Sequence, residues 1–249
     1  FKFWAGEQLA YMMPVGNGDL KAVLRKLIED ADKEKHNFCM LGVCSNMRAD
    51  LEAILPERFI FTEDRAYADY IYLRSDLATL KGKKFQAKRN HIRNTYPDYE
   101  YTPITPDRIQ ECLDLEAEWC KVNNCDQQEG TGNERRALIY ALHNFEALGL
   151  TGGILHVNGK IVAFTFGMPI NHETFGVHVE KADTSIDGAY AMINYEFANR
   201  IPEQYIYINR EEDLGIEGLR KAKLSYQPVT ILEKYMACLK DHPMDMVRW

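Results

Sequence analysis

The sequence predicts an α/β fold in which mixed β-sheets are flanked by helices. Amphipathic helical segments alternate with short apolar or alternating strands along most of the chain. The dipeptide Asn158-Gly159 separates two apolar runs, which is the strongest short-range signature of a β-hairpin, so part of the sheet is expected to be antiparallel. The order strand, helix, strand, helix, strand occurs near both ends of the chain, as expected for a diverged internal duplication.

Turn residues and prolines separate the elements of the first third of the chain. Residues 16–19 predict a turn that caps the first helix, and Pro56 predicts the end of the second. The predicted elements are a strand at 9–15, a helix at 20–35, a strand at 38–43, a helix at 47–55 and a strand at 69–73. A charged helical region that is interrupted near Gly82 follows at 76–96.

The rest of the chain predicts a helix pair, an antiparallel meander and a final alternation of helices and strands. The first elements are an extended segment at 99–104, a helix from 105 to about 122, a polar loop at 123–132 and a helix at 133–148. The meander has strands at 154–157, 160–164 and 174–180. A helix at 189–200, a strand at 205–209, a helix at 216–224 and a strand at 230–235 complete the chain.

Composition narrows the function classes. The chain has 249 residues, enough for one large or two modest domains, and is 46% hydrophobic and 27% charged. Its net charge of −7 argues against coating nucleic acid over a broad face but allows a local basic pocket. The longest nearly apolar run, 161–170, is too short to cross a bilayer. Because residue 1 is Phe1, we expect the sequence to begin within a longer native chain.

Six cysteines occur without a CxxC pair, and we expect them to be reduced thiols that pack in the interior. A cytoplasmic protein follows as the default, and a peripheral position at the inner membrane surface stays open. No metal site is expected, because no His or Cys pair stands at zinc-ligand spacing. The GxSxG, HExxH, Walker and GxGxxG motifs are also absent from the sequence, so serine hydrolases, zincins and nucleotide hydrolases are not supported.

The strongest candidate site is the charged segment 209–213, which follows a predicted strand. Charges at the end of a buried strand are costly unless they are paired or used. Asn209 and Arg210 could bind a phosphate or carboxylate, and a neighbouring carboxylate could accept a proton from an attacking amine. The three carboxylates are Glu211, Glu212 and Asp213. The alternative is a salt-bridged strand end that caps the next helix.

Two further groups of basic residues are candidates for phosphate binding. One group lies on or just after the predicted helix at 216–224 and consists of Arg220, Lys221, Lys223 and Tyr226. The other is the dense basic patch at 81–93, in which the candidate ligands are Lys84, Lys88, Arg89 and His91. A solvated helix face is the alternative for both groups.

Glu180, near the end of the predicted strand 174–180, is a second candidate for the proton acceptor. His178 lies two residues earlier on the same face, and we interpret it as a packing residue. Asn194 could orient an acceptor but is equally typical of an ordinary helix surface.

Five stretches of the sequence resemble an uncharacterised bacterial family that is grouped with the C-terminal domain of phosphatidylglycerol lysyltransferase. They are DYIYL at 69–73, LKGKK at 80–84, AKRNH at 87–91, EKA at 180–182 and NREEDLG at 209–215. The order of elements also resembles the GCN5-related N-acetyltransferase (GNAT) fold. The resemblance implies a tandem GNAT-like fold, with a partial N-terminal domain and basic helix at 1–97 and a C-terminal domain at 98–249.

The resemblance also implies an acyltransferase, related to enzymes that move an aminoacyl group from tRNA onto a lipid or a peptidoglycan precursor. In this fold, the strands that correspond to 174–180 and 205–209 splay apart and hold the ester arm of the donor. The expected partners are therefore a tRNA acceptor end and a small-molecule, lipid or precursor acceptor that carries an amine or hydroxyl group.

One segment departs from the acetyl-CoA enzymes. Those enzymes hold the CoA pyrophosphate with a glycine-rich loop before a helix. The corresponding segment here, 182–189, has one glycine and two acidic residues. We therefore expect aminoacyl-tRNA rather than acyl-CoA as co-substrate, and no tightly bound cofactor. A CoA-dependent N-acetyltransferase and a non-catalytic ligand-binding module stay open as alternatives.

Overall fold

The computed structural model describes residues 1–95, 99–123 and 129–240, and the side chains of 93–95 and 129–133 lie outside the described part. By its internal contacts the chain forms two compact units. Unit 1 comprises 1–69, 212–217 and the chain from residue 231 onward. Unit 2 comprises 70–211 and 218–230. The chain therefore passes between the units several times. The expected division into folding domains at 97/98 stays a prediction.

Twelve strands and eight α-helices are present in the described residues. The strands are β1 (Lys2–Ala5), β2 (Gln8–Met12), β3 (Cys39–Val43), β4 (Phe59–Glu63), β5 (Asp69–Leu73), β6 (Tyr99–Pro103), β7 (Thr151–Val157), β8 (Lys160–Pro169), β9 (Thr174–Ala182), β10 (Tyr207–Asn209), β11 (Thr230–Leu232) and β12 (Tyr235–Leu239). The helices are α1 (Leu20–Lys33), α2 (Ser45–Ile54), α3 (Arg74–Thr79), α4 (Gln86–Thr95), α5 (Ile109–Asn123), α6 (Glu129–His143), α7 (Ala189–Arg200) and α8 (Glu217–Leu224).

Unit 1 is built on a five-stranded sheet with the order β1-β2-β3-β12-β4. Only β2 and β3 are parallel, because α1 connects them, and the other neighbours are antiparallel. Asp19 caps α1 by accepting a hydrogen bond from the Ala22 amide at 3.1 Å, as the sequence predicts. Leu24 and Ile28 on α1 are fully buried against the sheet. Unit 1 therefore has its own core.

A seven-stranded sheet carries unit 2, with the order β11-β5-β10-β9-β8-β7-β6. Asn158 and Gly159 have φ values of 52° and 74° in the β7–β8 turn, which confirms the predicted hairpin. Neighbouring side chains of β7 point to opposite faces, so Ile154 packs with α5 and α6 while Leu155 packs with α7. Helices therefore cover both faces, and the predicted mixed α/β fold is confirmed.

One predicted strand needs correction, and two further strands are absent from the predictions. The predicted strand at 230–235 is two strands, β11 in the seven-stranded sheet and β12 in the five-stranded sheet. The alternating pattern is compatible with either sheet, so only tertiary pairing separates them. Neither β1 nor β4 was predicted. Both are edge strands with mostly exposed residues, so their burial pattern gives a weak periodic signal.

The prediction that all cysteines are reduced is wrong for one pair. Cys39 and Cys238 form a disulfide across the β3–β12 ladder, where they face each other with Cα atoms 4.1 Å apart. The two residues are 199 positions apart, so their proximity depends on the return of the chain to unit 1. Cys44, Cys112 and Cys120 are free thiols. Cys125 lies outside the described residues.

Within the described ranges, no helix combines the length and apolar character that crossing a membrane requires.

Candidate active site

The candidate site lies where β9 and β10 part. The parallel ladder between them joins residues 207–209 to residues 174–176. Beyond Gly176, β9 continues for six residues to Ala182 with β8 on its other side, whereas β10 ends at Asn209. The two strands are therefore paired at one end only. Polar groups that follow β10 can face the unpaired part of β9.

A β-bulge shapes the unpaired part of β9. Phe166 of β8 faces Val179, but the next residue, Gly167, faces Val177. His178 is therefore an extra residue on β9. A bulge bends its strand and redirects the local side chains, and bulges are frequent beside active sites.

A buried ion pair joins the two diverging segments. Both Nε and Nη2 of Arg210 donate to Oε2 of Glu180, at 2.9 and 2.6 Å, and the two side chains are only 9% and 13% exposed. Burial alone would lower the pKa of Arg210, but the carboxylate of Glu180 raises it, so the guanidinium stays charged. The rings of Tyr72 and Tyr226 also lie beside the guanidinium, at 5.6 and 4.9 Å.

Two polar atoms beside this pair have no partner among the described residues. Asn194 on α7 donates through Nδ2 to the second oxygen of Glu180 at 3.2 Å. A carboxylate only accepts hydrogen bonds, so the amide oxygen of Asn194 must face the other way. That oxygen and Nη1 of Arg210 are buried and unpaired. Leaving a buried polar group unpaired costs about 1–3 kcal/mol, so both atoms are candidate groups for binding a ligand.

A histidine and a carboxylate form a second pair at the bulge. Nδ1 of His178 donates to Oε1 of Glu211 at 2.6 Å, and Nε2 of the same ring is buried without a partner in the described structure. Glu211 has a φ of 56°, a strained conformation for a residue other than glycine. The side chain of Asn209 supports this conformation, because its Oδ1 accepts a hydrogen bond from the Glu211 amide at 2.7 Å.

Two lysines surround this loop with different roles. Lys223 on α8 is buried, and its ammonium donates to the backbone carbonyls of Arg210 and Glu211. It therefore fixes the loop. Lys88 on α4 instead lies over the ring of Tyr226 at 4.1 Å, and no carboxylate in the described part of the chain pairs with it. Burial and the positive charge of Arg210 lower the pKa of Lys88. Its ammonium is a candidate ligand for an anion.

The other predicted basic residues lie apart from this cluster or bind elsewhere. Lys84 pairs with Asp76 at 2.7 Å, and His91 pairs with Asp187 at 3.1 Å. Arg89 donates to the carbonyls of Leu80 and Gly82 and closes the turn after α3. Arg220 is partly exposed on α8, and Lys221 is exposed on the same helix. The side chain of Arg93, which belongs to the basic patch at 81–93, lies outside the described part.

Two of the predicted carboxylates are engaged in unit 1. Glu212 lies 3.3 Å from the ammonium of Lys234. Asp213 is fully buried, where it pairs with Arg65 at 3.5 Å and accepts a hydrogen bond from the Gly215 amide at 2.9 Å. These contacts fit the alternative of a salt-bridged strand end, whereas Arg210 and Glu211 belong to the cluster described above.

Three members of the cluster were missed or undervalued from the sequence. From the sequence, His178 is interpreted as a packing residue, and Asn194 is equally compatible with orienting an acceptor and with an ordinary helix surface. Asn194 is only 4% exposed, so the surface interpretation is wrong. Asn194 stands among buried apolar residues of α7, where a polar side chain is costly unless it is hydrogen-bonded. The ring of Tyr72 is fully buried, and its hydroxyl donates to the Lys223 carbonyl at 2.8 Å. No sequence signal distinguishes it from a core tyrosine.

The sequence profile of a family described as phosphatidylglycerol lysyltransferase, C-terminal, matches residues 1–238. The chain belongs to this family. A curated relative, uncharacterized protein MYCGA3080 of Mycoplasmoides gallisepticum, is 25% identical over 175 residues, or 68% of the chain. The chain spans 55% of the length of that relative.

Solved structures share the fold of this family member. A conserved protein of unknown function from Bacteroides thetaiotaomicron VPI-5482 is 99% identical, with a TM-score of 0.93 over 96% of this chain and 82% of that chain. L-PGS from Bacillus licheniformis is 17% identical, with a TM-score of 0.67 over 98% and 81% of the chains. A tandem GNAT protein from the clavulanic acid pathway is 10% identical, with a TM-score of 0.51 over 90% and 71%. The last two show the fold alone, which is tandem GNAT-like, as the sequence predicts.

Proposed function

We propose that this domain transfers an aminoacyl group from aminoacyl-tRNA to an amine or hydroxyl acceptor, such as a lipid head group or a cell-wall precursor. The observation that carries the proposal is the buried pair of Arg210 and Glu180 at the divergence of β9 and β10, with Nη1 of Arg210 left unpaired. Membership of the phosphatidylglycerol lysyltransferase C-terminal family supports the choice of reaction.

The unpaired N–H of Arg210 suits an oxyanion. Acyl transfer passes through a tetrahedral intermediate whose oxygen carries a negative charge. A buried donor that is already oriented by Glu180 stabilises that charge without reorganising. Arg210 keeps its proton in this setting, because the carboxylate beside it raises its pKa. Its remaining N–H therefore stays a donor throughout the reaction.

The neighbouring groups would position the donor and its amino acid. Lys88 and the Tyr226 ring offer an ammonium and an aromatic face to a phosphate-bearing acceptor end. The free oxygen of Asn194 accepts a hydrogen bond, which suits the α-ammonium group of an aminoacyl ester beside the charge of Glu180. Holding the ester and the nucleophile together supplies much of the rate enhancement.

The loop before α7 argues against CoA as the donor. Oδ1 of Asp183 accepts hydrogen bonds from the Ser185 amide at 2.8 Å and from the Ser185 hydroxyl at 2.7 Å. A carboxylate thus occupies the position in which a pyrophosphate-binding loop would offer amide groups. Asp187 adds a second negative charge to the same loop. A CoA pyrophosphate would be repelled here.

The test is a transfer assay with radiolabelled aminoacyl-tRNAs and either phosphatidylglycerol vesicles or a cell-wall precursor extract. We expect label to appear in one of these acceptors. Arg210→Gln should lower kcat/KM by about 10²–10³-fold, the usual effect of losing one oxyanion donor. Arg136→Gln, an exposed arginine on α6, is the matched control and should retain wild-type transfer.

Two results would refute the proposal. One is equal transfer by the wild type and Arg210→Gln. The other is absence of any labelled acceptor together with saturable thermal stabilisation by acetyl-CoA, which would establish the CoA-dependent alternative. A non-catalytic module predicts ligand binding without transfer in every variant.

A further inference from the structure

The identity of the proton acceptor is open in the proposed reaction, and the carboxylates are poorly suited to the role. Glu180 accepts two hydrogen bonds from Arg210 and one from Asn194. Both carboxylate oxygens of Glu180 are therefore already occupied as hydrogen-bond acceptors. Glu211 already accepts a hydrogen bond from His178. Neither carboxylate is free to remove a proton from the nucleophile.

We infer that His178 is the general base of the proposed transfer and that Glu211 positions it. Because Glu211 accepts from Nδ1, the neutral ring must carry its proton on Nδ1. The lone pair of Nε2 is then available, and this atom is buried with no partner among the described residues. A carboxylate that holds one imidazole nitrogen while the other faces the reaction is a recurrent arrangement in acyl transfer.

The local backbone explains how the pair is held. The bulge inserts His178 into β9 just beyond the last residues that pair with β10. Glu211 reaches it from the strained position that Asn209 stabilises. Lys223 fixes the carbonyl of Glu211 from the other side. Strain of this kind persists where the surrounding contacts enforce it, and it concentrates at functional sites.

In the proposed step, His178 accepts a proton from the nucleophile and later returns it to the leaving group. A lone pair of the acceptor oxygen or nitrogen forms a bond to the ester carbonyl carbon, and the acceptor proton moves to Nε2 of His178. The tetrahedral intermediate collapses with cleavage of the bond between the carbonyl carbon and the tRNA ribose oxygen. The leaving oxygen takes the proton from Nε2, which restores the neutral ring. This inference depends on the proposed function for the identity of the reactants.

The structure provides an internal control in a second histidine–carboxylate pair. His156 on β7, two strands away, contacts Glu111 at 2.8 Å through Nε2, and its Nδ1 is buried without a partner in the described structure. The two histidines therefore use opposite nitrogens. His156 plays no part in the proposed site.

The first experiment needs no substrate. Nitrogen-15 NMR of the full chain, with His178→Gln and His156→Gln to assign the signals, reports which nitrogen of each ring is protonated. We expect the neutral ring of His178 to carry its proton on Nδ1 and to leave Nε2 bare, and the neutral ring of His156 to show the opposite tautomer. A proton on Nε2 of His178 would overturn the inference.

The second experiment measures transfer to phosphatidylglycerol vesicles or the precursor extract. His178→Gln should lower kcat by about 10²-fold or more, the contribution of a general base. Glu211→Gln should lower it less and abolish the tautomer preference, while His156→Gln should match the wild type. Added imidazole should partly restore transfer in His178→Gly. Wild-type rates in His178→Gln would overturn the assignment. Absence of transfer by the wild type would instead refute the proposed function. The nitrogen-15 spectrum would then still test whether Glu211 holds His178 in the tautomer that leaves Nε2 bare.

Discussion

Removing the carboxylate of Glu180 should destabilise unit 2 strongly, because Arg210 would keep a buried charge without a counterion. The guanidinium is 9% exposed and loses two short hydrogen bonds in Glu180→Ala. Deleting one partner of a buried ion pair typically costs about 3–5 kcal/mol. With a urea m-value of about 3 kcal/mol per M for a domain of this size, the midpoint should fall by about 1–1.7 M.

Urea unfolding followed by the fluorescence of Trp119 measures this effect, because Trp119 lies in unit 2. Trp4 and Trp249 are replaced by Phe so that they add no signal. Glu173→Ala, in the exposed turn between β8 and β9, is the control and should change the free energy of unfolding by about 0.5 kcal/mol or less.

A double variant separates the loss of a pair from the loss of packing. When both members of a buried ion pair become apolar residues of similar volume, stability is often unchanged or higher. Glu180→Leu with Arg210→Met should therefore be more stable than Glu180→Ala alone. A single Glu180→Ala that costs under about 1 kcal/mol, or a double variant no better than it, would refute the description of this pair as buried and mutually dependent.

Three further predictions concern charge and covalent linkage. Lys88→Met should raise the urea midpoint of the free protein at neutral pH, because burial in the folded state disfavours the charged ammonium and lowers its pKa. This gain in stability should fade as the pH rises from the folded-state pKa of Lys88 to about 10.4, the value in the unfolded chain. Transfer should be impaired in the same variant. Burial disfavours the charged form of Lys234, but the carboxylate of Asp69 outweighs burial and raises the pKa of this lysine. The loss of stability in Lys234→Met should therefore persist up to about pH 10.4 and decline at higher pH, measured in the same urea titrations. Dithiothreitol should lower the free energy of unfolding by up to about 5 kcal/mol, because the disulfide between Cys39 and Cys238 closes a separation of 199 residues. Cys39→Ala should not respond to the reductant.

The sequence predicts those parts of the fold that local chemistry determines. The Asn158-Gly159 turn requires two residues with positive φ, and the Asp19 cap requires a side-chain oxygen before a helix, so both features follow from the residues themselves. The strand at 230–235 shows the limit of this reasoning. Its alternation fits any half-buried strand, and only the available partner strands decide that the chain changes sheets after Leu232.

The sequence indicates which charged residues are candidates for the site, but it does not indicate which side chains they pair with. Density of charge after β10 identifies Arg210 and Glu211, because ionised groups at a buried strand end need partners. The partner of Glu211 depends on a bulge, and a bulge is visible only when two strands are aligned. His178 was therefore interpreted as packing, although the same histidine carries an unpaired buried nitrogen in the structure.

The bulge itself can be tested by Gly167→Ala. A Cβ atom at this position would lie 1.9 Å from the Gly176 carbonyl oxygen, and backbone atoms cannot yield as a flexible side chain can. β8 and β9 would have to separate beside the bulge, so we expect a loss of about 1–3 kcal/mol or more in unit 2 and loss of the His178 tautomer preference. Gly218→Ala is the matched control, since its Cβ meets nothing within 4 Å on α8 and alanine favours a helix by about 0.5–1 kcal/mol. If Gly167→Ala unfolds like the wild type and keeps a bare Nε2 on His178, the close approach of the two strands is not what positions the histidine.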